Sequence, residues 1–175
     1  VAIFSDVHGN FEALKCVYAD IEQNDVATTV CLGDMVGYGP EPEAVVKFII
    51  QNGIAGVAGN HELAILEDEG LEEMNARARA SILITRNLVS EATLDFIGQL
   101  PRHSLLNEMR FVHGMPPDSA TTYLNRVGDD EIVECMKAVS QRMIFVGHTH
   151  RPIVYSLNAT DLDAFIPQEG KTRLQ

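Results

Sequence analysis

Blocks of apolar and polar positions alternate along the first third of the chain and predict strands and helices in turn. Short apolar runs at residues 1–4, 28–32 and 54–57 are typical of buried strands. Between these runs, one helix is predicted after Asn10, a good N-cap, and a second is predicted from Pro42 toward Gly53. Because single helices separate the strands, we expect the strands to pair in parallel.

The pattern changes in the middle of the chain. Residues 71–100 predict two helices, the second capped by Ser90 and stopped by Pro101. Further elements are predicted as a hairpin at 102–106 and 109–112, a helix at 129–139, and strands at 143–146 and 153–157. We therefore expect one α/β domain over residues 1–175, with two packed mixed sheets flanked by helices. The segment after Leu157 has little periodicity and predicts no element.

Composition narrows the possible roles of the protein. The chain of 175 residues is 46% hydrophobic and 22% charged, which is typical of a globular domain, and no apolar run approaches the roughly 20 residues that span a bilayer. Three widely spaced cysteines in apolar patterns indicate buried free thiols and, with no leader-like segment, a cytoplasmic location. The net charge of −12 argues against stable binding to nucleic acid.

Short motifs of His, Asp and Asn recur along the chain, each after an apolar run. They are Asp6-Val7-His8, Gly33-Asp34, Gly59-Asn60-His61, His113-Gly114 and Gly147-His148-Thr149-His150. We expect them at strand ends along one edge of one sheet. Asp6 and His8, two apart in extended backbone, would point to the same side. Oxygen and imidazole ligands without thiolate suit hard to borderline divalent metals, and seven ligands exceed the needs of one ion.

The motifs therefore predict two metal ions. A carboxylate has two oxygens that can each bind a different ion, and Asp34, which follows the second strand, is the natural bridge. The remaining ligands divide into two sets. Asp6, His8 and His150 are expected on the first ion, and Asn60, His113 and His148 on the second.

The five motifs, in this order, resemble the signature blocks of the calcineurin-like metallophosphoesterase family. The flanking Gly37-Tyr38-Gly39-Pro40 and Leu100-Pro101 are similar to its small stand-alone prokaryotic branch. The resemblance covers roughly residues 1–155 and implies an α/β/β/α sandwich with the two ligand sets above. After Leu157 the chain lacks the further strands and the Asn-Pro-Gly-Ser turn usual in that branch, so we expect a truncated or divergent end to the second sheet.

The resemblance also implies a reaction. Two ions about 3.5–4 Å apart bind a hydroxide between them and clamp the phosphoryl oxygens of an in-line displacement. His61 matches a family position that binds no metal and is expected to stabilise the developing charge or protonate the leaving oxygen, with Asn60 and His61 touching substrate. We expect Mn, Fe, Zn, Ni or Co, with Mn favoured, and a phosphorylated small molecule or nucleotide as substrate. A homo-oligomer is possible.

Some alternatives stay open at this level. The same fold can serve as a protein-binding scaffold without catalysis, and Gly37-x-Gly39 prompts a nucleotide-binding α/β protein, although the third glycine of the dinucleotide motif is missing. Diester against monoester preference is undetermined. Arg77, Arg79 and Arg126 are candidates for contacting a second phosphate or sugar, and the acidic run at 67–73 is interpreted as a solvated helix entrance.

Overall fold

The structure is a computed structural model that describes residues 1–159 and 161–167. Three parallel strands form the first sheet, in the order β1-β2-β3, as the alternation of strands and helices predicts. The strands are β1 (Ala2–Phe4), β2 (Thr29–Cys31) and β3 (Ala55–Gly56). The accompanying expectation that both sheets are mixed is wrong for this one. In the described residues it is purely parallel, because each connection carries a helix that returns the chain to the same end.

Five helices cover the outer face of this sheet. They are α1 (Phe11–Glu22), α2 (Pro42–Gln51), α3 (Asn60–Glu67), α4 (Ala76–Thr85) and α5 (Glu91–Gly98). One apolar cluster joins them to the sheet, with Leu14 of α1, Ile49 of α2 and Ile82 of α4 all buried. Asn10 and Ser90 cap α1 and α5 as predicted, since each side chain accepts a backbone N–H.

The second sheet has the order β4-β5-β6 and is mixed. Its strands are β4 (His103–Leu106), β5 (Met109–Val112) and β6 (Met143–Val146). The predicted hairpin is confirmed, because β4 and β5 are antiparallel, while β6 runs parallel to β5. The two sheets pack face to face through Val30, Val57 and Phe111. Phe111 also stacks on Phe145 at 5.4 Å between ring centroids.

The last layer consists of α6 (Asp129–Lys137) with a two-stranded antiparallel sheet formed by β7 (Val154–Asn158) and β8 (Asp161–Phe165). Ile132 and Cys135 of α6 pack against Val146, Tyr155 and Leu162. The layers thus follow the expected α/β/β/α order. The segment after Leu157, for which no element was predicted, contains β8. Position 160 and residues 168–175 lie outside the described part.

Two further expectations are wrong. The acidic run at 67–73 is not at a helix start, because it begins at Glu67, the last residue of α3, and ends before Asn75, the N-cap of α4. Two of its members form ion pairs, Asp68 with Arg86 and Glu69 with Arg102. Cys16 is exposed on α1, whereas Cys31 and Cys135 are buried free thiols as predicted. In the part of the chain that the structure covers, no helix has the length and apolarity to cross a membrane.

Candidate metal centre

Strand ends place the predicted ligands in one group. Asp6, Asp34 and Asn60 follow the three strands of the first sheet, whereas His113 and His148 follow β5 and β6 of the second. The expectation of one edge of one sheet is therefore wrong. The ends of two packed sheets converge, because parallel β5 and β6 finish on the same side as β1–β3. As a result, side chains up to 144 positions apart come into contact.

The backbone at this centre adopts a conformation that is uncommon for residues with a side chain. Five of the nine non-glycine residues described with positive φ are predicted ligands: Asp6 (57°), His8 (49°), Asp34 (52°), His148 (61°) and His150 (50°). Left-handed backbone at such residues is strained and clusters at functional sites. Asp6 and His8 thus converge through left-handed turns and not, as expected, through extended backbone.

Asp6, His8 and His150 form the first cluster. His150 Nε2 lies 3.1 Å from Asp6 Oδ1 and 3.3 Å from His8 Nε2. His8 Nε2 is 4.0 Å from the same Asp6 oxygen. The three ligand atoms lie within 4.8 Å of one another, which allows one ion to contact all three. His150 is the exposed member, with 56% of its side chain accessible, so this cluster opens to solvent.

The second cluster is buried and centres on His113. Its Nε2 lies 3.3 Å from Asp34 Oδ2, 3.2 Å from Asn60 Oδ1 and 3.2 Å from His148 Nδ1. All four side chains are at most 8% exposed. The structure therefore brings together the second set of residues that the motifs group.

Asp34 belongs to both clusters. Its Oδ2 is 3.3 Å from His113 Nε2 and 3.7 Å from His8 Nε2, while its Oδ1 accepts the backbone N–H of His61 at 3.0 Å. Burial alone would raise the pKa of this carboxyl, but the imidazoles of His113, His61 and His8 hold the pKa below its usual range. Asp34 is consequently an anion placed between the two groups of imidazoles.

Backbone carbonyls fix which nitrogen of each imidazole faces the cluster. His8 Nδ1 contacts Val36 O at 3.2 Å, His113 Nδ1 contacts Leu32 O at 2.7 Å, and His148 Nε2 contacts Thr121 O at 3.0 Å. A carbonyl can only accept, so each of these nitrogens carries a proton and the other nitrogen turns toward the cluster. These carbonyl contacts are the outer-sphere partners that metal-binding histidines require.

The imidazole nitrogens that face the second cluster show that its side chains fit a cation. Two of them, His113 Nε2 and His148 Nδ1, face each other and need a positive charge between them, since two lone pairs cannot bond. Burial lowers the pKa of His113, yet the Asp34 carboxylate outweighs it and raises that pKa to about 9. Burial and neighbouring His113 lower the pKa of His148 to about 4. A proton can fill this position, and a divalent ion that displaces it fits the same donors.

Glu62 joins the two loops that carry Asp34 and Asn60. Its Oε2 accepts the N–H of Asp34 at 2.7 Å and of Gly59 at 2.8 Å, and its Oε1 accepts the N–H of Met35 and Val36. Burial and the Asp34 carboxylate raise the pKa of Glu62 to about 7, against the opposing effect of these hydrogen bonds. Sequence reasoning gave Glu62 no role, although its place three residues after Gly59 at a helix start fits a capping position.

His61 lies against the clusters, with Nε2 3.9 Å from Asp34 Oδ2 and its ring centroid 4.6 Å from that of His8. Burial lowers the pKa of His61, although Asp34 opposes this. Its Nδ1 is buried without a hydrogen-bond partner among the described residues. The ring packs directly on Gly37, whose φ of +86° and missing Cβ leave the necessary space.

A cleft of about 260 Å³ opens over the clusters and is lined by several predicted ligands together with His61, Tyr38 and Tyr123. Sequence reasoning missed both tyrosines as site residues. Tyr38 was named only as part of a flanking motif, but its ring centroid is 4.8 Å from that of His8 and 5.0 Å from that of His61. Tyr123 stacks on His148 at 3.7 Å. Their aromatic character within polar loops was the available signal.

The three candidate arginines lie in different environments. Arg126 places its guanidinium carbon 3.9 Å from the Tyr123 ring centroid and lines a neighbouring groove. Arg79 of α4 donates to the carbonyl of Glu72 at 2.8 Å and is thereby held against the segment that precedes α4. Arg77 is exposed on α4 and lies outside the residues that line either cavity.

The family model described as calcineurin-like phosphoesterase matches residues 1–152, which is most of the chain and includes both clusters. The chain belongs to the calcineurin-like phosphoesterase family. An uncharacterized protein of Methanocaldococcus jannaschii is 32% identical over 170 residues, covering 89% of this chain. The chain spans 64% of the length of that relative.

Solved structures give the same result for the fold. A metallophosphoesterase from Sphaerobacter thermophilus is 30% identical, with a TM-score of 0.75 over 97% of this chain and 69% of its own. A hypothetical protein from Pyrococcus horikoshii has a TM-score of 0.76 over 98% of this chain and 88% of its own, at 15% identity. The second likeness shows the fold alone. This chain therefore shares its α/β/β/α fold with both of these solved structures.

Proposed function

We propose that this calcineurin-like phosphoesterase hydrolyses phosphate esters with two divalent ions. Asp6, His8, Asp34 and His150 would hold one ion, and the other would be held by Asp34, Asn60, His113 and His148. The observation that carries the proposal is the position of Asp34 Oδ2, 3.7 Å from an inward nitrogen of the first cluster and 3.3 Å from one of the second. One carboxylate placed in this way supports a shared, two-ion site.

Ions bound there would supply a water-derived nucleophile at neutral pH and neutralise charge on the phosphoryl oxygens. The protein itself would hold the ligand side chains in position. His8, His113 and His148 are held by backbone carbonyls, so the donor positions exist before substrate arrives. Such preorganised groups lower the barrier because they need no reorientation during the reaction.

His61 is the proposed catalytic residue, and together with Asn60 it would contact the substrate. Burial lowers the pKa of His61 and so favours the neutral imidazole, which has one N–H donor. Its Nδ1 is enclosed against Gly37, which leaves Nε2 facing the cleft. From there the N–H can stabilise charge that develops on a phosphoryl or leaving oxygen.

The remaining details belong to the same proposal. The ligand set accepts Mn, Fe, Zn, Ni or Co, with Mn favoured as the test metal. The cleft of about 260 Å³ fits a phosphorylated small molecule or nucleotide better than a nucleic-acid duplex, and the net charge of −12 disfavours the latter. Action on both monoesters and diesters is compatible with a two-ion site.

The experiment is turnover of p-nitrophenyl phosphate, bis-p-nitrophenyl phosphate and a nucleotide panel by protein loaded with each of the five metals. We expect metal-dependent hydrolysis that chelation abolishes and Mn²⁺ restores, with about two ions per chain by mass spectrometry. Bound metal with no hydrolysis of any ester would refute the proposal and favour the protein-binding scaffold instead.

A further inference from the structure

A second groove leads away from the metal centre. It has a volume of about 360 Å³ and shares Tyr38, Asn60, His61, Tyr123 and His148 with the cleft over the two clusters. Its far part is lined by residues from two segments, Gly70–Ala78 and Thr121–Arg126; we call this far part the side groove. A ligand whose phosphoryl group lies at the metal centre therefore has room to continue into the side groove.

A stack of three side chains forms one wall of this path. His148 contacts Tyr123 with nearly parallel rings, 3.7 Å apart and inclined by 27°. On the other side, the guanidinium carbon of Arg126 lies 3.9 Å from the Tyr123 ring centroid. The two distances limit the separation of the Arg126 guanidinium from the His148 ring centroid to 7.6 Å. A positive charge thus lies one stacked ring away from a proposed metal ligand.

This charge has no ion-pair partner in the part of the chain that the structure describes. Arginine ion pairs within residues 1–159 and 161–167 join Arg86 to Asp68, Arg102 to Glu69 and Arg142 to Glu108, and Arg126 takes part in none. Four other described arginines also lie outside these ion pairs, so Arg126 is distinguished by its position, stacked on Tyr123 and lining the groove. Glu73 also lines the groove, but it makes no ion pair with Arg126.

We propose that Arg126 binds a second phosphate, linked in series to the phosphoryl group at the metal centre. The substrate class is therefore the phosphoanhydrides, of which nucleoside diphosphates and longer polyphosphates are members. A guanidinium is well suited to this role because its planar fork pairs with two phosphate oxygens at once. The inference rests on the proposed function, since it assigns the substrate of the same site.

The reaction then has a defined balance. The oxygen of one water forms a bond to the phosphorus at the metal centre, and the bridging P–O bond breaks. Its electron pair stays on the phosphate held by Arg126, which leaves as an anion, and one proton is released to solvent. Arg126 stabilises the charge gained by this leaving phosphate, and a simple monoester has no group in that position.

The test compares ADP with AMP, which share the nucleoside and differ by one phosphate. For the metal-loaded protein we expect Arg126→Ala to lower the ratio of kcat/KM for ADP to that for AMP by about 10- to 100-fold, the worth of one charge-assisted contact. Arg126→Lys should recover part of the loss because it keeps the charge. Arg142→Ala, which removes an equal charge at a site paired with Glu108, should leave the ratio unchanged.

A binding measurement separates this inference from the proposed function. Calorimetry on metal-loaded protein should show that Arg126→Ala weakens methylenediphosphonate by the same factor and affects methylphosphonate far less. Equal losses for one- and two-phosphate ligands would overturn the inference, because Arg126 would then act through Tyr123 and His148. Unchanged binding and turnover would overturn it as well. If neither AMP, ADP nor the ester reporters were hydrolysed, the proposed function would fail while calorimetry still decided the role of Arg126.

Discussion

Glu62→Gln is the substitution whose effect the structure defines best. The carboxylate is fully buried and accepts four backbone N–H groups, from Gly59 and from residues 34–36. Glutamine has nearly the same shape, but its amide NH₂ replaces one oxygen and must face two N–H donors. Those two donors lose their acceptor, and the other two bonds lose the assistance of a negative charge.

The expected loss in the free energy of unfolding follows from these four hydrogen bonds. Each buried N–H without an acceptor costs about 1–3 kcal/mol, so two of them destabilise the fold by about 2–6 kcal/mol. This is a large part of the roughly 5–15 kcal/mol by which domains are stable. With an m-value of about 2 kcal/mol/M, the urea midpoint should fall by about 1–3 M.

The assay is equilibrium urea unfolding followed by circular dichroism at pH 8.5 in the presence of a chelator. This pH lies above the pKa of about 7 for Glu62, so the wild-type carboxyl is ionised, and chelation removes stabilisation by bound metal. Glu134→Gln, at an exposed position of α6, is the matched control and should change stability by less than about 0.5 kcal/mol. A loss below about 1 kcal/mol for Glu62→Gln would refute its role in joining the two loops.

Three further predictions concern single side chains. Asp34→Asn should weaken the binding of both ions by more than about 100-fold, because one carboxylate lies beside both clusters. Unchanged metal content by mass spectrometry would contradict this. His61→Ala should keep two ions and lose about 10²–10³ in kcat; loss of an ion would instead identify His61 as a ligand. Partial burial would raise the pKa of Glu43, but hydrogen bonds, first from Ser90, lower it to about 2 from 4.5. The stabilisation by Glu43 is therefore present above pH 4.5 and is lost as pH falls toward 2, so the difference in urea midpoint between wild type and Glu43→Gln should shrink between pH 6 and pH 3; a constant difference would exclude this linkage.

The parts of the fold with local periodicity could be predicted from sequence. The runs that became β1, β2 and the β4-β5 hairpin are apolar and short, and α1 and α5 begin at residues whose side chains cap them. Helix α3 was not predicted, because it is buried over most of its length and carries Asn60, His61 and Glu62 inside the protein. A helix without a polar outer face lacks the alternation that makes helices visible in sequence.

The sequence by itself identified the family of this protein and its candidate metal ligands. The order and types of its His, Asp and Asn residues indicated two metal ions, and their place after apolar runs indicated strand ends. Only the tertiary structure decided that the predicted ligands come from two sheets and that left-handed turns bring Asp6 and His8 together. It also provided the contacts of Glu62 and Arg126 from which their roles are inferred. Their surroundings depend on contacts between distant segments, and such contacts leave no local pattern along the chain.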